Sequence, residues 1–138
     1  MTGLTPFTLH PRLAADTIPI CDLALCSVLL MNDSRFPWLI LVPRRPDVTE
    51  IHDLPPPDRA ALIEETAAAS TALSACVRPD KINIGALGNM VPQLHIHVVA
   101  RRRTDLAWPG PVWGSGAATP YETGEASRVA AALARLFP

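Results

Sequence analysis

Two imidazoles and a carboxamide recur at every second position of Gln93-Leu94-His95-Ile96-His97-Val98-Val99-Ala100-Arg101. A neutral imidazole is nucleophilic without prior deprotonation, because its ordinary pKa near 6.5 leaves one ring nitrogen with a free lone pair. A period of two is that of a β-strand, so Leu94, Ile96, Val98 and Ala100 are predicted to share one face, and Gln93, His95, His97 and Arg101 the other. Side chains two apart on a strand are roughly 6.5 to 7 Å apart along its axis, a ridge that could hold one phosphate group. A bare His-x-His serves equally well as a solvated or core pair, so its surroundings must decide.

Those surroundings favour chemistry. Just upstream, Asn83-Ile84-Gly85-Ala86-Leu87-Gly88-Asn89 reads as a hairpin: its glycines let backbone amides approach a ligand, and Asn83 and Asn89 can donate hydrogen bonds to an anion. Downstream, Trp108-Pro109-Gly110-Pro111-Val112-Trp113-Gly114 is stiff and aromatic, as a pocket rim would be. Attack of an imidazole on phosphorus would give a covalent intermediate at the ring nitrogen, whose charge needs nearby donors. His97, Gln93, Asn89 and the amides around Gly88 are the candidates.

The elements that must carry this strand are legible in turn. Asp22 to Met31 is apolar on both alternating faces and reads as a strand buried on both sides. Asn32-Asp33-Ser34-Arg35 supplies turn chemistry before a second apolar strand, Phe36 to Val42. Leu62, Thr66, Ala69, Leu73 and Val77 recur at steps of three and four, predicting a helix over 58–77 that ends before Pro79. Lys81 to Ala86 reads as a third strand and Gln93 to Arg101 as a fourth. Thr119-Pro120-Tyr121-Glu122 resembles a capping box before a terminal helix striped by Val129, Leu133, Leu136 and Phe137. Residues 1–19 are expected to wrap the sheet and lend apolar atoms to a base pocket. His10, His52 and the run Arg101-Arg102-Arg103 read as surface features.

Composition bounds the function. At 138 residues the chain fits one domain, and a hydrophobic content of 49% with 18% charged residues excludes a disordered chain. A net charge of −1 gives no electrostatic case for a nucleic acid partner. Cys21, Cys26 and Cys76 are odd in number and lack Cys-x-x-Cys spacing. With no leader-like N-terminus, they point to a reducing, cytoplasmic setting in which they pack as small hydrophobes. No apolar run approaches the ~18 to 20 residues of a membrane span.

Gln93-Leu94-His95-Ile96-His97-Val98-Val99 resembles the histidine triad family, whose signature is His-φ-His-φ-His-φ-φ with φ apolar. It departs only at the first histidine, which is Gln93. Asn32-Asp33 after an apolar strand and Trp38 to Arg45 ending in Val-Pro-Arg extend the likeness to roughly residues 20–114, within a single domain of residues 1–138 whose C-terminal helix spans about 120–137. The resemblance implies an α+β fold: a mainly antiparallel, twisted sheet of about five strands, one main covering helix and a C-terminal helix at one side. It implies His95 as nucleophile and His97 as the residue that binds phosphate and manages the leaving group. Gln93, Asn89 and Asn83 would contact phosphate, and Asp33 and Asn32 the ribose. The implied activity is a nucleotide hydrolase or nucleotidyl transferase acting on a phosphoramidate or dinucleoside polyphosphate, as a homodimer that binds a purine nucleotide and needs no cofactor. Glutamine cannot carry a positive charge or shuttle a proton, so a nucleotide-binding module with little or no catalysis is the alternative. A metal site at His95 and His97 would lack further ligands at motif spacing.

Overall fold

The computed structural model describes residues 6–138, so the first five residues of the expected N-terminal wrap lie outside it. A short helix α1 (Pro11–Asp16) leads into β1 (Thr17–Asp22), β2 (Cys26–Met31) and β3 (Trp38–Pro43). The long helix α2 (Pro56–Val77), β4 (Lys81–Gly85), β5 (Ile96–Arg101) and α3 (Glu125–Ala134) follow. The strands form one sheet in the order β1-β2-β3-β5-β4, every neighbouring pair antiparallel. This is the α+β architecture the sequence implies.

Side-chain alternation divides the core into two layers. Leu94, Ile96, Val98 and Ala100 pack with Leu62, Ala69 and Leu73 of α2 on one side of the sheet. On the other side Trp38, Ile40 and Val42 of β3 join Val99 of β5, Leu13 of α1, and Val91 and Val112 from loops. Burial of this apolar surface is the main force holding the helix to the sheet. The α2 stripe is as the periodicity requires, with Leu62, Thr66, Ala69 and Leu73 buried. Thr66 satisfies its hydroxyl on Leu62 O one turn back at 2.8 Å.

Three departures from the sequence reading go beyond a shift of one or two residues at an element's end. The apolar stretch from Asp22 to Met31 is not one strand: the chain reverses at Leu23–Leu25, and Asp22 ends β1. The Glu65 carboxylate on α2 accepts from Leu25 N at 2.9 Å and Cys26 N at 2.8 Å, so a distant acid satisfies a turn with no glycine, proline or asparagine. The fourth strand starts at Ile96 rather than Gln93, because Leu94 N bonds to Val48 O outside the ladder. The terminal helix is not capped by Thr119. It begins after Gly124, whose φ of +84° suits glycine, while Thr119 and Tyr121 are tied back to the β2–β3 turn.

Candidate active site

The alternation of β5 turns His97 toward the face opposite α2, beside Ile40 of β3, which is its cross-strand partner. His95 precedes the strand on the same side, and the two rings lie edge to face with centroids 4.9 Å apart, closer than the strand repeat because they lean together. Both are 6% exposed. They border a cavity of about 720 Å³ whose walls include Leu13, Met31, Trp38, Ile40, Val112 and Trp113, with Asn32, Asp33 and Asn89 also on its lining. That volume lies within the range of small-ligand sites, roughly 300 to 1,000 Å³.

The two imidazoles are held in opposite tautomers. His95 Nδ1 lies 2.7 Å from the backbone oxygen of Gln93. A carbonyl can only accept, so Nδ1 carries the proton and Nε2 keeps its lone pair. His97 Nδ1 lies 3.0 Å from Trp38 Nε1. An indole N–H can only donate, so here Nδ1 is the acceptor and the proton sits on Nε2. Burial, reinforced by neighbouring His95, lowers the His97 pKa to about 4, which agrees with a ring kept neutral. The pair thus consists of one nucleophilic nitrogen and one fixed N–H donor.

Trp113 meets His97 edge on, with centroids 5.4 Å apart. A glycine makes this approach feasible: a Cβ at Gly85 would lie 2.9 Å from Trp113 Cη2. Gly85 therefore admits an aromatic ring, not the ligand contact expected of it. Gly88, with φ of +74°, turns the loop that brings Asn89 to the cavity.

At the other end of the cavity the Asp33 carboxylate is buried and accepts from four N–H groups: Arg35 N, Nε and Nη2, and Thr119 N. Burial alone would raise this carboxyl; the Arg35 side-chain and backbone bonds and the Thr119 amide outweigh it and hold it below the ordinary range. A carboxylate offers about four lone-pair sites, so Asp33 has little left for a ribose hydroxyl. The Asn32 side-chain oxygen is taken by Tyr121 N at 3.0 Å, leaving its amino group as what it can offer a ligand.

The model of the HIT domain family matches residues 12–104. The chain belongs to the histidine triad (HIT) family. The chain is similar to a HIT protein from Sinorhizobium meliloti at 51% identity, with a TM-score of 0.93 over 98% of this chain and 100% of that one. A histidine triad protein from Bradyrhizobium japonicum is 47% identical, with the same TM-score over 97% and 100%. One from Marinobacter aquaeolei is also 47% identical, with a TM-score of 0.93 over 96% and 97%. No curated protein matches significantly.

Two residues given a phosphate role by the motif, and one arginine read as a surface feature, stand elsewhere in the fold. The Gln93 side chain does not stand in the cavity with the histidines. The strand begins after it, and its amide donates to Thr8 O at 2.9 Å and accepts from His10 N at 2.8 Å. Asn83 is likewise turned away, its side-chain oxygen accepting from Arg101 Nη1 at 2.9 Å. Arg101 is not part of a solvated cluster: it is 1% exposed, pairs with Asp105 at 2.8 Å and lies over the rings of Phe36 and Trp108. What the sequence reading missed is Trp38, whose place beside His97 depends on the β3–β5 register. Among the described residues no group of three or more His, Cys, Asp or Glu is gathered as a metal site, and no helix is long and apolar enough to cross a membrane.

Proposed function

We propose that the chain is a HIT-type nucleotide hydrolase or nucleotidyl transferase that works through a covalent intermediate on His95. The observation that carries this is the opposed tautomers of His95 and His97 beside one nucleotide-sized cavity. A purine nucleoside lies between the apolar walls, with the Asn32 amino group toward the ribose, and its α-phosphate sits at the two rings. Asp33 acts indirectly there, by fixing the turn. His95 Nε2 forms a bond to phosphorus as the bond to the leaving group breaks. Water then displaces the imidazole, releasing a nucleoside monophosphate, or an acceptor takes the nucleotidyl group. His97 Nε2–H and Asn89 stabilise the phosphoryl oxygens in both steps.

The same geometry bears on the leaving group. With Nδ1 bonded to Trp38, His97 cannot become an imidazolium without breaking that bond, so it donates a hydrogen bond but does not hand over a proton. Leaving groups of low basicity suit such a site, which favours dinucleoside polyphosphates over phosphoramidates; an amine leaving group would have to draw its proton from solvent. The Gln93 amide bonds to Thr8 and His10 rather than to the two imidazoles, which supports the catalytic reading over the non-catalytic alternative. We further propose that the protein acts as a cytoplasmic homodimer, without a cofactor.

Intact-mass spectrometry of a reaction quenched during turnover of diadenosine tetraphosphate tests the route. The expected result is an adenylyl adduct that disappears in His95→Ala together with turnover. Undiminished hydrolysis by His95→Ala would overturn the covalent route, and tight AMP binding with no turnover of any substrate would establish the binding-module reading instead.

A further inference from the structure

We infer that Gln93 is a positioning residue that fastens the N-terminal segment across the site and thereby sets how tightly the cavity holds its nucleotide, an inference that rests on the nucleotide reading above. Its amide makes two bonds to one short stretch of backbone, donating to Thr8 O at 2.9 Å and accepting from His10 N at 2.8 Å. A planar primary amide presents a donor and an acceptor side by side, as a neighbouring peptide group would. A carboxylate can only accept, and an imidazole directs its two nitrogens outward from different edges of a ring. Glutamine is therefore suited to this contact in a way that histidine is not.

The clasp lies where it can act on the site. His10, held through its N–H, caps α1 by accepting from Arg12 N on its ring nitrogen at 3.1 Å. The helix α1 contributes Leu13 to the cavity wall, with Arg12 and Asp16 at the lining. Its far end is fixed too, because Asn32 N donates to Asp16 O at 3.0 Å. The segment from Thr8 to Asp16 therefore spans from the histidine end of the cavity to the Asn32 turn, anchored at one end by Gln93. The backbone oxygen of Gln93 also receives the Nδ1 proton of His95. One residue thus holds the nucleophile's tautomer with its main chain and the cavity wall with its side chain. Substituting the side chain leaves the first contact in place and removes the second.

The test compares wild type with Gln93→Ala, Gln93→His and Gln93→Glu, using AMP in calorimetry, diadenosine tetraphosphate in steady-state kinetics, and amide hydrogen exchange over residues 8–16. In Gln93→Ala and Gln93→His the AMP Kd and the KM should rise about tenfold, with kcat changed less than about threefold, for the loss of two hydrogen bonds that order the wall. Exchange at Ala14, whose amide bonds to His10 O, should quicken in both. Gln93→Glu keeps the acceptor for His10 N and should fall between wild type and alanine; it carries the comparison if Gln93→Ala does not fold. Unchanged KM and exchange, a fall in kcat at fixed KM, or a faster Gln93→His enzyme at fixed KM would each overturn the inference. If wild type neither binds AMP nor turns over, the nucleotide reading fails instead, and the exchange comparison decides by itself whether the clasp exists.

Discussion

The two ends of the cavity carry polar residues in opposite states. At the β5 end, each imidazole has one nitrogen engaged and the other open: His95 offers a lone pair and His97 an N–H. At the β2–β3 turn, the Asp33 carboxylate already holds four N–H groups and the Asn32 oxygen a fifth. The contrast teaches that lining a pocket does not make a polar residue available to a ligand; its unfilled hydrogen-bonding capacity does. The histidine end is built to react, and the turn end is built to keep its shape. Arg35 makes the second point concrete, since the same guanidinium that grips Asp33 also donates to Ser115 O and Gly116 O, holding a loop that forms part of the cavity.

The sharpest way to break the contrast is to remove the open nitrogen. His95→Ala should lower kcat by about 10³-fold or more, since a nucleophile is not replaced by its neighbours, while AMP affinity stays within about threefold. Loss of AMP binding on the same scale as activity would mean that His95 is a binding group. At the other end, Arg35→Ala should leave the buried Asp33 carboxylate without its partner and destabilise the fold by roughly 3 to 5 kcal/mol in urea unfolding. A stable Arg35→Ala protein would show that the turn does not depend on the pair.

A third effect belongs to the histidine end and appears as pH dependence. His97 titrates near 4 in the folded chain against an ordinary value of 6.5. Between those pH values the unfolded chain takes up a proton that the folded one refuses. Stability should therefore be intact above about pH 6.5 and fall as pH drops through 4, by on the order of 3 kcal/mol. His97→Gln should flatten that slope when urea midpoints are followed against pH. Asp105 contributes separately at lower pH, because hydrogen bonds from Arg101 hold it to about 2, so its share is lost only as pH falls from about 4 toward 2. The smallest effect expected is that of Trp38→Phe. It removes the donor to His97 Nδ1 and frees the ring to exchange tautomers, which should cost about tenfold in kcat/KM and allow His97 to protonate at higher pH.

The parts legible in the sequence were those governed by local period. The alternation around His95 and His97 specified which side chains share a face, and the spacing of Leu62, Thr66, Ala69 and Leu73 specified the face of α2. The reversal at Leu23–Leu25 was not legible, because the carboxylate that satisfies its amides stands about forty residues away on α2. For the same reason Gln93 and Asn83 were misplaced. Each has the right chemistry for a phosphate, but partners remote in sequence, Thr8 and His10 in one case and Arg101 in the other, occupy that chemistry first. Trp38 went unseen because its role depends on the pairing of β3 with β5, which no spacing along the chain records.

Which nitrogen of each ring bears the proton decides what the pair can do, and long-range ¹H–¹⁵N correlation NMR of the ligand-free protein near pH 7.5 reads that directly. The prediction is a proton on Nδ1 for His95 and on Nε2 for His97, with the His97 assignment lost in Trp38→Phe. The same tautomer on both rings, or a positively charged His97 at that pH, would contradict it.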